Sequence, residues 1–302
     1  VRKLNSILSD ISKLKPARTD DEKEMILRLE PGDKRIGLIN RLSEVYYEHV
    51  NALHNGSAEA KGKEIKTHKL LTRQALGLIH YPVSESAKAE LIEESTGPDE
   101  HLRTVQILWE GHFYGKTGNG DYGNYFYKYL DEDVINLLSG IDDVSENALS
   151  NLAVYYKMFM DNKTNVRSLA WALHYIQDIT APPHAANYPN FVNVFAKGKK
   201  LPETHFSFEK RAQKAINSSY SSFIIEARMN YAKLKKLLNN DLDFTGIYPA
   251  KLNGFAKLVH SKAEPYAECI YKKDKKAWDE AINRTIPLAV AASAVILESA
   301  FK

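Results

Sequence analysis

Two segments in the middle of this 302-residue chain pair a histidine with an acid one helical turn later. In SLAWALHYIQDITAPPHAANY, His174 and Asp178 fall four residues apart in a strongly helical pattern, so they project from one face and can grip one ion together. Pro182 and Pro183 cannot continue that helix, so the chain turns there and can aim His184 back at the same pocket. THFSFEKRA repeats the device with His205 and Glu209, and His68, Asp99 and His112 offer three more ligands upstream. A single His-x-x-x-acid pair is usually an ordinary ion-paired couple. Two such pairs, with a third histidine just past a Pro-Pro stop, point instead to a metal centre.

The chain has one cysteine, Cys269, which excludes an intrachain disulfide and a zinc site built on thiolates. Any metal must therefore be held by His, Asp and Glu. Such a nitrogen-and-oxygen set suits zinc, with carboxylates able to bridge neighbouring ions.

The elements that position these residues read as helices. ALSNLAVYYKMF, SLAWALHYIQDI and SSFIIEARMNYAKLKKLL repeat apolar residues at three- and four-residue spacing, and sustained two-residue alternation is rare. The fold class is all-α. Breaks fall at Gly97-Pro98, between Gly115 and Gly123, at Pro182-Pro183, between Lys197 and Pro202, and at Pro249. Residues 1–55 differ in character, with KPARTDDEKE and EPGDKR separating short charged helical patches, and read as an N-terminal helical extension, a propeptide or a subdomain. Residues 56–302, which carry every candidate ligand, read as a catalytic domain.

With 44% hydrophobic and 26% charged residues the chain can bury a sizeable core. Its net charge of +3 comes from 41 basic residues scattered among 38 acidic ones, so nothing demands a stable nucleic-acid partner. The opening VRKLNSILSDISKLK lacks the apolar stretch of a signal peptide. The most apolar run, Ile286 to Phe301, is too short to span a bilayer and reads as a buried helix. GHFYGKT misses the P-loop pattern by one residue. Lys197, Lys199 and Lys200 read as a solvated loop, with peripheral contact to an anionic membrane surface as the alternative. His49, His54, His80, His101 and His260 have no partner at ligand spacing, and most of them read as surface residues.

HYIQDITAPPHAANY followed by HFSFE resembles the signature of the zinc-dependent phospholipase C family, which takes in bacterial lecithinases and the catalytic domain of clostridial alpha-toxin, and which shares its fold with the single-strand-specific zinc nucleases. The pattern is His-Tyr-x-x-Asp-x-x-x-Pro-x-His-x-Ala-Asn, then His-x-x-x-Glu. THKLLTRQAL resembles the family's first histidine helix, GPDEHLR its aspartate loop and WEGHFY the segment bearing the next histidine, so the likeness runs from about Gly56 to the C-terminal helix.

Carried over residue by residue, the resemblance implies one zinc on Asp99, His112, His174 and Asp178, another on His184, His205 and Glu209, and a third on His68 with Asp178 as a bridge. The family completes that third site with an N-terminal tryptophan, whereas no tryptophan here precedes Trp109. Three readings stay open: a propeptide cut near Gly56, a substitute ligand such as His54 or His49, or a centre of two ions. The resemblance further implies Asp99 as general base and Glu59 and Trp109 in the substrate pocket, while Glu100 departs from the tyrosine expected after the aspartate. The implied reaction is phospholipase C hydrolysis of a phospholipid to diacylglycerol and a phosphorylated headgroup, by a secreted or periplasmic protein. The alternatives are a zinc-dependent single-strand nuclease and a degenerate zinc-binding relative without activity.

Overall fold

The structure is a computed structural model that describes residues 66–101, 112, 114, 148–185, 204–218, 220–238, 244, 250–267 and 274–302. Helices make up all the regular secondary structure among the described residues. In chain order they are α1 (Thr67–Leu76), α2 (Glu85–Glu94), α3 (Gly97–His101), α4 (Ala148–Asp161), α5 (Val166–Thr180), α6 (Pro182–Ala185), α7 (Thr204–Ser218), α8 (Tyr220–Leu237), α9 (Ala250–Ala263) and α10 (Lys275–Phe301), with a short 3₁₀ turn at Glu264–Tyr266. The extension 1–55, its boundary at Gly56, and Glu59 and Trp109 lie outside the described residues.

Two helices organise the rest. α5 packs against α2, α4, α9 and α10, and α10 packs against α1, α5 and α8. Local sequence sets their starts. Asn165 caps α5 by accepting the Ser168 N–H at 3.3 Å, and Asp274 caps α10 by accepting the Lys276 and Ala277 N–H groups at 3.0 and 3.2 Å. Each cap satisfies amide donors that have no partner inside the helix.

α10 is buried on every side from Thr285 to Leu297, as expected of a helix that is apolar all round and passes through the centre of a core. Its position corrects one expectation from the sequence. The helix begins at Lys275, well before Ile286, and its 27 residues, with a mean hydropathy of 1.4 over the most apolar window, are long and apolar enough to cross a membrane. In this fold 83% of that window is buried against other helices. Pro287 lies inside α10 and removes one backbone donor; the carbonyl it leaves belongs to the exposed Asn283, where water can replace the bond.

Polar ties fix the C-terminal end of α10. Tyr156 of α4 meets Ser299 at 2.8 Å, Lys163 donates to the Ala300 carbonyl at 2.6 Å, and Lys235 of α8 pairs with Glu298 at 2.8 Å. Around them Tyr156, Phe159, Phe244 and Phe255 are almost wholly buried. Each large apolar side chain withdrawn from water in this way contributes about 1.5–3 kcal/mol.

Candidate metal centre

Five helices and one isolated segment carry the ligand candidates. α5 presents His174 and Asp178 one turn apart and both almost fully buried. α1 supplies His68 from its first turn, α3 supplies Asp99, and α6 supplies His184. The helix of α5 stops at Thr180, the cap residue Ala181 is extended, and the Pro-Pro pair opens α6, so His184 is redirected toward α5. His112 is buried at 5% exposure, and α7 carries Glu209.

The donor atoms converge. Asp178 Oδ2 lies 2.8 Å from His112 Nδ1 and 3.1 Å from His174 Nε2, and those two ring nitrogens are themselves 2.9 Å apart. Asp178 Oδ1 lies 3.6 Å from His68 Nε2. Asp99 Oδ1 approaches His174 Nε2 to 3.6 Å and His112 Nδ1 to 3.9 Å. Two sets of three therefore have ligand atoms all within 4.8 Å of one another: His68, Asp99 and His174, and His112, His174 and Asp178. Next to them His184 Nε2 meets Glu209 Oε1 at 3.0 Å.

The second ring nitrogen matters as much as the first. His174 Nδ1 is bonded to the Ser95 carbonyl at 2.9 Å, His184 Nδ1 to the His112 carbonyl at 3.0 Å, and His68 Nδ1 to the Gln177 amide oxygen at 2.8 Å. A carbonyl can only accept, so each of these nitrogens carries a proton and donates it, which leaves Nε2, on the side of the carboxylates, as the nitrogen that can give up its proton to an ion. That is how histidines are held when they bind a metal. The donor set thus fits zinc: all nitrogen and oxygen, mostly buried, and with tautomers already set.

The electrostatics follow the same crowding. Burial pulls the His174 imidazole down, but Asp178 and Asp99 outweigh it and raise its pKa to about 9. Burial likewise works against the charged form of His184, and Asp178 and Glu209 carry it up to about 9. Desolvation pushes the Asp178 carboxyl up, yet His174, His184 and the bond from His112 hold it well below its ordinary range. His68 goes the other way, lowered by burial and by the neighbouring His174.

Of the residues singled out in the sequence, His68, Asp99, His112, His174 and Asp178 come together, and His184 and Glu209 form an adjoining pair. His205 stands on α7 one turn before Glu209, with its side chain outside the described set. The resemblance assigns His68 to Asp178 alone; in the structure His68 also faces Asp99 and stacks on His174 with ring centroids 4.0 Å apart.

His260 corrects another expectation. It is partly buried, not a surface residue: its Nε2–H donates to the Ala185 carbonyl at 2.9 Å and its ring stacks on Tyr114 at 3.6 Å between centroids. Tyr114 N–H in turn bonds the His184 carbonyl at 3.1 Å. His260 therefore clamps the segment that bears His184. No acid at helical spacing marks it in the sequence, because its partner is a backbone carbonyl 75 residues away.

No family model matches the chain, and no curated protein matches it. Among solved structures, the alpha toxin from Clostridium absonum superposes with a TM-score of 0.55 at 18% identity, covering 80% of this chain and 66% of the toxin chain. The alpha-toxin of Clostridium perfringens avian strain SWCP superposes with a TM-score of 0.47 at 15% identity, covering 80% and 65%. This chain thus spans just under two thirds of those toxins. At such identities the likeness is one of fold: over 80% of its length this chain shares the fold of 66% of the Clostridium absonum alpha toxin chain.

Proposed function

We propose that this protein is a zinc-dependent phosphodiester hydrolase of the phospholipase C type, releasing diacylglycerol and a phosphorylated headgroup from a phospholipid. The observation that carries the reading is the arrangement of His68, His174 and His184, each with Nδ1 tied to a carbonyl and Nε2 turned toward Asp178 or Glu209. Asp99, His112, His205 and Glu209 complete the proposed ligand set. Zinc held there would supply positive charge for the non-bridging phosphate oxygens and would acidify water.

The two aspartates are suited to different roles. Asp178 is 3% exposed and touches three histidines, so it fixes ligand positions and supplies buried negative charge. Asp99 is 47% exposed and reaches His112 and His174 from the rim. It is the carboxylate that solvent and substrate can reach. In the proposed reaction an Asp99 oxygen takes the proton of the attacking water, water oxygen bonds to phosphorus, and the ester bond to the glycerol oxygen breaks, that oxygen leaving with a proton from solvent as the hydroxyl of diacylglycerol.

Elemental analysis of the purified protein, paired with hydrolysis of a chromogenic phosphocholine ester before and after chelation, tests the proposal. Two or three zinc ions with chelator-sensitive turnover are expected, with short-chain lecithin cleaved in preference to single-stranded DNA. Failure to hold zinc when it is supplied would sink the reading.

A further inference from the structure

Beneath the candidate centre lies a buried polar knot joining three helices. Gln177 of α5 donates its amide Nε2 to Thr72 Oγ1 of α1 and to Ser293 Oγ of α10, both at 3.1 Å, and its Oε1 faces His68 Nδ1 at 2.8 Å. Gln177 is 2% exposed, and Thr72 and Ser293 are fully buried. Polar groups at such depth need hydrogen-bond partners, and here the three side chains and His68 supply them to one another.

The amide has two N–H groups and both are used. Turning it over would leave one of them buried without an acceptor, which costs about 1–3 kcal/mol. Thr72 and Ser293 stand inside helices, where the carbonyl one turn back is available to a hydroxyl proton, so each oxygen keeps a lone pair for the amide. The oxygen is therefore the atom presented to His68. An acceptor at that place requires the proton on Nδ1, and the Nε2 lone pair is then directed at Asp178 Oδ1 and into the set formed with Asp99 and His174.

His68 is the one histidine of the three anchored by a side chain. His174 and His184 rest on backbone carbonyls, which no substitution can remove. His68 depends on Gln177, and Gln177 depends on Ser293 at the centre of the otherwise apolar stretch of α10. A serine there adds nothing to apolar packing, and Gln177 places a long polar chain where an apolar one would fill the same volume. Positioning a ligand accounts for both.

We infer that Gln177, held by Thr72 and Ser293, is the positioning residue that sets the tautomer and direction of His68 and so controls occupancy of the cation site His68 serves. The inference rests on the metal-centre reading above, and one of its two tests is independent of metal.

In the metal-free full-length protein at pH 8, nitrogen-15 spectra of the His68 ring should show the Nδ1–H form in the wild type and in Gln177→Glu, which keeps an acceptor oxygen. Gln177→Met, close in shape but without an acceptor, should lose that signature. In zinc titrations against a competing chelator, Gln177→Met should hold its weakest-bound ion about 10- to 100-fold less tightly than wild type, and Gln177→Glu should restore it. A merely structural role would lower the melting temperature without changing either readout. The inference is overturned if His68 stays in the Nδ1–H form in Gln177→Met, or if that variant binds zinc as the wild type does. A wild type that binds no zinc would defeat the proposed function instead, and the spectra would still decide the role of Gln177.

Discussion

Asp178 Oδ2 and His112 Nδ1 stand 2.8 Å apart across 66 residues of sequence, with Asp178 and His112 at only 3% and 6% side-chain exposure. The same oxygen is 3.1 Å from His174, so one buried carboxylate contacts more than one imidazole. Asp178→Asn keeps the size and removes the charge. Breaking a buried pair from one side costs about 3–5 kcal/mol, and a loss of that order is expected in urea unfolding of the metal-free protein at pH 7. Zinc content should fall by at least one ion. A variant as stable as wild type with full zinc would show that Asp178 is neither a ligand nor a charge partner.

Asp99 gives the opposite separation of effects. It is half-exposed at the rim, so Asp99→Asn should change stability by no more than about 0.5 kcal/mol. Turnover of the phosphocholine ester should drop about 100- to 10,000-fold, the range for losing a general base. Thermal melts and initial rates on the same preparation check both halves. Unchanged turnover would remove Asp99 from the proposed reaction.

Gly97 admits no side chain. A Cβ there would sit 2.3 Å from Nε1 of Trp171 and 2.9 Å from its Cε2. Trp171 packs edge-on against Tyr155 at 5.0 Å, so the indole cannot yield freely. Gly97→Ala should destabilise the protein by about 1–3 kcal/mol through overpacking. Because Gly97 opens the short helix that carries Asp99, turnover should fall as well. Calorimetry and rate measurements would reveal a harmless substitution, and with it a looser packing at α3 than described.

His260 provides a pH dependence outside the ligand set. Burial lowers its pKa, opposed in part by the bond to the Ala185 carbonyl and by Glu264, so it is neutral at neutral pH. Its unfolded value is about 6.5. With the folded value depressed, its contribution to stability is complete above about pH 6.5 and is lost as pH falls through the lower folded value. His260→Gln retains an N–H donor but does not titrate. The stability gap between wild type and this variant should therefore be widest at pH 7.5 and narrow by pH 5.5, as read from urea midpoints. A constant gap would show that His260 does not change charge in that range.

The sequence by itself determined the helical class, because apolar residues at three- and four-residue spacing can bury one face only as helices. It also determined which residue types were available as ligands, since one cysteine leaves the work to His, Asp and Glu. The pairing of His174 with Asp178 was legible for a local reason: one helical turn places both on one face. Tertiary structure decided the rest. His68 reaches Asp178 only because α1 and α5 pack on the same helix, and Asp99 reaches His174 only because Gly97 lets α3 lie against Trp171. Gln177 and His260 were invisible as site residues because their partners are a ring nitrogen and a carbonyl contributed by distant segments. Periodicity reports which face a residue is on, but not what the chain brings to meet it.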